Sequence, residues 1–173
     1  MIVETDASRG EDLSSPAGFT RFYRSNLPTV FGYLLRLCGG DRSLAEDLTQ
    51  DSFLVFTRAI SKGQADTADI RWLLTVARHK YVDHFRRDEL SKRYLRLASS
   101  VPEQAADSTP TRSDVLEHVA LLEPVPRMVL MLRYVDGMPA ESIAREIGRS
   151  VPATYSLLAR ARRDLRDLRG EHE

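Results

Sequence analysis

Apolar residues in this chain recur every three or four positions, and nowhere before Ala98 do they alternate with period two. That spacing lays a stripe along a helix but cannot line one face of a strand, so it restricts the chain to packed helices. Leu27, Phe31, Leu34, Leu35 and Cys38 form a first stripe, ended by Gly39 and Gly40. Pro28 falls inside it and, lacking an N–H, is expected to start or kink the segment. Ser43 with Glu46 reads as a capping box. The second helix behind it has Leu44, Leu48, Ser52, Val55, Phe56 and Ala59 on one face. Residues 61–68 lack periodicity and read as a loop. Asp69 is placed to cap a third helix, whose buried stripe is Ile70, Leu73, Leu74, Ala77, Tyr81 and Phe85.

Composition changes after Leu97. Ser99, Ser100, Pro102, Asp107, Ser108 and Pro110 offer almost nothing large to bury, which is linker chemistry. Helical periodicity resumes at Val115, Leu116, Val119 and Leu122, and Pro124 and Pro126 interrupt it. A segment over residues 126–135 ends at Asp136-Gly137. Residues 139–147 follow, then a turn at Gly148, with Ser150 as N-cap of a last helix running toward Leu168. On that helix Thr154, Leu158, Ala161, Leu165 and Leu168 share one stripe, with Ser156, Arg160 and Arg163 opposite. The expected fold is all-α. A polar tail over residues 1–18 precedes a helical domain over 19–97. A flexible linker over 98–112 leads to a second helical domain over 113–169. Domains this small bury only about 60% of their unfolded surface, which implies docking onto a partner.

Formal net charge is zero, yet residues 19–97 carry fourteen bases against nine acids, so a neutral sum hides a basic segment. The single cysteine, Cys38, excludes an intrachain disulfide and a thiolate metal cluster, and fits a cytoplasmic location. The first residues show no basic region and no apolar run, so no secretory signal is expected. No apolar run approaches the roughly 20 residues needed to cross a bilayer, so no membrane insertion is expected. His79 and His84 lack carboxylate or thiolate company, which argues against a metal site. Paired carboxylates, a nucleophile with its base and a glycine-rich phosphate loop are not apparent. The expectation is a binding protein without a cofactor, not an enzyme.

Two segments carry binding chemistry. Ala144, Gly148 and Thr154 fit a helix-turn-helix: a small residue where two helices cross, a turn residue tolerant of positive φ, and a packing residue in the second helix. Two ordinary packed helices joined by a glycine turn would read the same way. Arg160, Arg162, Arg163, Arg166 and Arg169 lie where phosphates would flank a groove-bound helix, diluted by Asp164 and Asp167. The other segment is RWLLTVARHKYVDHFRR, residues 71–87, in which bases and aromatics interleave as they do on surfaces for unpaired nucleic acid. Trp72, Tyr81 and Phe85 also stand at core spacing.

These runs together resemble the extracytoplasmic-function sigma factors of bacterial RNA polymerase. AEDLTQDSFLVF, residues 45–56, looks like the polymerase-binding motif of region two. IRWLLTVARHKYVDHFRR looks like the helix that reads the element near minus ten. Residues 121–165 look like region four, which reads the element near minus thirty-five. The resemblance implies that Asp47, Gln50, Asp51, Phe53 and Leu54 grip the polymerase, although Phe53 and Phe56 could instead build the core. It implies that Arg78, His79, Lys80, His84, Arg86 and Arg87 meet melted promoter DNA. Arg149, Ser150, Pro152, Ala153, Thr154, Ser156, Arg160 and Arg163 would meet the upstream duplex. The loop over residues 61–69 would hold a flipped base, yet it has no aromatic residue. The implied partners are core RNA polymerase, promoter DNA and an anti-sigma factor. The recognition helix departs from the family pattern: Tyr155 stands where a Lys is customary and Leu157 where an Arg is. A helix-turn-helix regulator that acts without the polymerase core is the alternative reading.

Overall fold

A computed structural model describes residues 13–64, 68–98 and 115–170, and these hold helices and no strand. The first helix, α1, spans Pro16–Leu37. Ser15 Oγ accepts from Gly18 N at 3.1 Å, and Pro16 takes the first helical position, where its missing N–H costs nothing. The helix therefore takes in residues 16–18, expected in the tail. Pro28 neither restarts nor ends it. Phe22, Asn26, Val30, Leu34 and Leu37 lie on one buried stripe that crosses the proline, so packing carries the helix through it. Asn26 Nδ2 donates to Phe22 O at 2.8 Å and is buried at no polar cost.

Helix α2 spans Arg42–Ser61, so Ser43 lies in its first turn and not at its cap. Its buried residues are Ala45, Leu48, Thr49, Ser52, Phe53, Phe56 and Ala59, a face rotated from the expected one. Leu44 and Val55 are only half-buried, and Phe53 takes the inner position. The rotation is possible because Thr49 and Ser52 hydroxyls donate to Ala45 O and Leu48 O, both at 2.6 Å. Helix α3 spans Ile70–Ala98, and Asp69 caps it: Oδ1 accepts from Trp72 N at 2.8 Å.

The chain divides into two compact units, and the division passes through α1 and α3. The first unit comprises the chain up to Leu34 with Ser43–Lys80. Its core is aromatic. Phe22 stacks on Phe56 with ring centroids 4.6 Å apart, Tyr23 meets Phe53 edge-on at 4.7 Å, and Trp72 lies 5.9 Å from Phe56. Trp72 is only half-buried and packs at the edge of this cluster.

The second unit comprises Leu35–Arg42 and the chain from Tyr81 on. It contains α4 (Val115–Ala120), α5 (Pro124–Leu130), α6 (Ala140–Ile147) and α7 (Val151–Leu168). Pro124 and Pro126 do not interrupt α5 but open it, in the turn whose N–H groups have no helical partner anyway. At Met131–Val135 the helix widens to a π turn, closed by Asp136 N donating to Met131 O at 3.1 Å. Met128, Val129, Leu130, Met131, Leu132, Ile143, Leu158 and Ala161 are buried and form the core. All but Ala98 of the expected linker lies outside the described residues.

Among the described residues of this unit, Arg127 is a buried charge. Pro126 has no N–H to offer Leu122 O four residues earlier, and Arg127 supplies the missing donors. Its Nε and Nη2 reach Leu122 O at 3.2 and 2.9 Å, and its Nη1 reaches Leu37 O at 3.0 Å. Burial lowers the guanidinium pKa from its ordinary value, while Tyr81, Cys38 and Glu123 oppose the shift. Gly39, at φ 67°, leaves the room: a Cβ there would stand 2.0 Å from Arg127 Nη1.

Candidate functional site

Helix α2 presents one exposed face that its packing does not use. Asp47, Gln50, Asp51 and Leu54 follow at steps of three, one and three, so they share a side of the helix, and all are exposed. Leu54 is 53% exposed, a large apolar group between two acids and an amide. Phe53, expected beside them, turns inward against Tyr23 and is 5% exposed, so it supports this face from beneath and does not form part of its surface.

The basic residues of α3 are spread round the helix. Lys80 Nζ pairs with Asp51 Oδ2 at 3.2 Å, which ties a residue expected on DNA to one expected on polymerase. Arg78 is half-buried and His79 exposed. Farther along, in the second unit, His84 is half-buried while Arg86 and Arg87 are exposed. Arg86 Nη2 donates to the carbonyls of Arg145 and Glu146 at the end of α6. Arg87 Nε donates to Asp83 O on its own helix at 3.2 Å. Of the loop expected to hold a flipped base, residues 65–67 lie outside the described residues.

The helix-turn-helix is present as its spacing required. Helix α6 ends at Gly148 in the left-handed region, φ 67° and ψ 38°, and Arg149 N closes the turn on Ala144 O at 2.9 Å. Ser150 caps α7, its Oγ accepting from Ala153 N at 3.3 Å, and Pro152 sits in the first turn. Ala144 and Thr154 are buried between the two helices. Thr154 was expected on DNA, but it is 0% exposed and its hydroxyl donates to Ser150 O at 3.0 Å. The hydroxyl is satisfied within the helix, so a threonine can fill a packing position.

The remaining candidates of α7 stay at the surface. Arg149, Ala153, Ser156 and Arg160 line one open cleft, and Ser156 Oγ donates to Pro152 O at 3.1 Å. Ser150, Pro152 and Arg163 are exposed. Arg160 lies 3.7 Å from Asp164 Oδ2 and keeps its side chain 73% exposed. Tyr155 is 56% exposed, with its hydroxyl 3.4 Å from Glu141 Oε1.

Spacing did not disclose a groove in the second unit, of about 710 Å³. Val119, Leu130, Met131, Tyr134 and Leu165 form its wall, and Arg162, Arg163 and Arg166 its rim. Tyr134 and Val135, both on the π turn, border it and are 61% and 49% exposed. Among the described residues no group of three or more His, Cys, Asp or Glu is placed to hold a metal ion. No helix among them is long and apolar enough to cross a membrane.

Residues 22–90 match the family model of sigma-70 region 2, and residues 112–165 match that of sigma-70 region 4. The ECF RNA polymerase sigma factor BldN of Streptomyces coelicolor is 31% identical over 94% of this chain and 67% of its own length. The RNA polymerase sigma factor CarQ of Myxococcus xanthus is 32% identical over 90% of this chain and 91% of its own. Among solved structures, the sigma factor RpoE from Bartonella quintana, crystallised with the anti-sigma factor NepR, has the same fold. The TM-score is 0.52 at 21% identity, covering 90% of this chain and 98% of that one. The chain belongs to the sigma-70 family, in its extracytoplasmic-function group, and is a transcription initiation factor and not an enzyme.

Proposed function

We propose that this chain joins core RNA polymerase through the exposed face of α2 and steers it to promoters. The observation that carries the reading is the stripe of Asp47, Gln50, Asp51 and Leu54, which packing leaves at the surface. Acids and an amide beside an apolar side chain suit a basic partner groove with an apolar floor. On the same reading, Arg78, His79, Lys80, His84, Arg86 and Arg87 serve melted DNA near minus ten, with Arg86 and Lys80 exchanging their present partners for phosphates. Helix α7 enters the duplex near minus thirty-five. Arg149, Arg160 and Arg163 supply affinity, while Ser150, Pro152, Ala153 and Ser156 line its approach. The apolar groove with its arginine rim receives an acidic amphipathic segment of the polymerase flap. An anti-sigma factor competes for these surfaces, and the protein works in the cytoplasm.

Mixing the full chain with core polymerase tests the reading. A stoichiometric complex that initiates from a subset of a promoter library is the expected result. A chain that binds promoter duplex but leaves core polymerase unbound would instead be a regulator acting alone.

A further inference from the structure

The groove-facing end of α7 is uncharged. Residues 151–159 contain no Asp, Glu, Lys or Arg, and cations stand only outside them, at Arg149 and Arg160. Selection of guanine by a bidentate arginine is therefore absent from the first two turns, where a recognition helix meets base edges. Tyr155 occupies that stretch instead. It is the only aromatic residue on α7, and 56% of it is exposed. Its hydroxyl points to Glu141 Oε1 on α6, 3.4 Å away. The contact is long for an O–H···O bond, but it places the polar end of the phenol beside α6 while more than half of the residue stays open to solvent. The major groove offers an exposed ring one apolar partner, the C5 methyl of thymine.

We propose that Tyr155 is the specificity-determining residue of α7 and that the base it selects is thymine, through contact between ring and methyl. Glu141 is a positioning residue that holds the ring. The proposal rests on the reading of α6 and α7 as a duplex-binding pair and deepens it. Where a lysine would have added a salt-dependent phosphate contact, Tyr155 adds a contact that depends on one methyl group and not on salt.

The test uses holoenzyme reconstituted from core polymerase and the full chain. Upstream duplexes are selected from a random pool, and each thymine of the selected element is replaced in turn by uracil, which removes the methyl alone. At one position the replacement is expected to weaken binding about fourfold, the worth of one buried methyl group. Tyr155→Phe keeps that penalty. Tyr155→Ala abolishes it while leaving the salt slope and the far-UV spectrum unchanged. Glu141→Ala reduces it without lowering the melting temperature. A uracil penalty at no position, or one that survives in Tyr155→Ala, overturns the proposal. Failure of the underlying duplex reading looks different: the double variant Arg160→Ala and Arg163→Ala would then bind upstream duplex with unchanged affinity and salt slope.

Discussion

Arg127 shows how much one side chain can decide. It was not singled out by periodicity or charge, because its partners, Leu37 O and Leu122 O, lie 90 and 5 residues away in sequence. Arg127→Met keeps the volume and removes the donors, leaving two buried carbonyls unsatisfied. A loss of about 2 kcal/mol in urea unfolding is expected, and an unchanged midpoint would show that the guanidinium is dispensable. The groups around it predict alkaline behaviour. Burial, with help from Asp41 and against Arg127, pushes the Cys38 thiol from 9.0 up to about 12. Burial, opposed by Arg127, pushes the Tyr81 phenol from 10.0 up to about 12. Below pH 9 both groups are protonated whether the chain is folded or not. Above it the unfolded chain ionises first, so the stability these groups contribute is lost as pH rises from about 9 toward 12. Urea midpoints measured between pH 8 and 11 should fall steadily above pH 9, with the fall reduced in Cys38→Ala.

Among the elements, helix ends were the most legible. Asp69 and Ser150 cap α3 and α7 as their positions indicated, and Gly148 adopts the left-handed turn. These are local bonds within three or four residues, so the nearby sequence contains both partners. Asp69→Ala is expected to cost about 1 kcal/mol by thermal or urea unfolding. Gly148→Val, which forces a β-branched residue to φ 67°, is expected to cost about 2 kcal/mol and to weaken binding to upstream duplex by misplacing α7. The phase of α2 was less legible. Several apolar faces were available to that helix, and Phe53, not Leu44 or Val55, took the inner position where Tyr23 arrives from α1. Pro28 taught the same lesson in reverse: a residue that breaks an isolated helix is tolerated when a buried stripe crosses it.

For the molecule as a whole, the binding surfaces are what folding leaves over. Leu54 is the sharpest instance, since its exposure means that Leu54→Asp should leave the melting temperature nearly unchanged. The same variant should weaken core-polymerase binding at least tenfold, by about 1.4 kcal/mol or more, in a competition titration; undiminished binding would move the polymerase interface elsewhere. Helical periodicity, caps and the Gly148 turn, all encoded over a few residues, determined an all-α chain with a helix-turn-helix near its end, and the order of its motifs determined the family. Only tertiary structure decided which candidates could touch a partner. Phe53 and Thr154 went inward because neighbouring helices needed a ring and a small side chain there, while Leu54 and Tyr155 stayed out because nothing packed over them. The groove walled by Tyr134 and the buried Arg127 were decided there as well. Both depend on a π turn or on carbonyls from distant segments, and a spacing rule sees only one helix at a time.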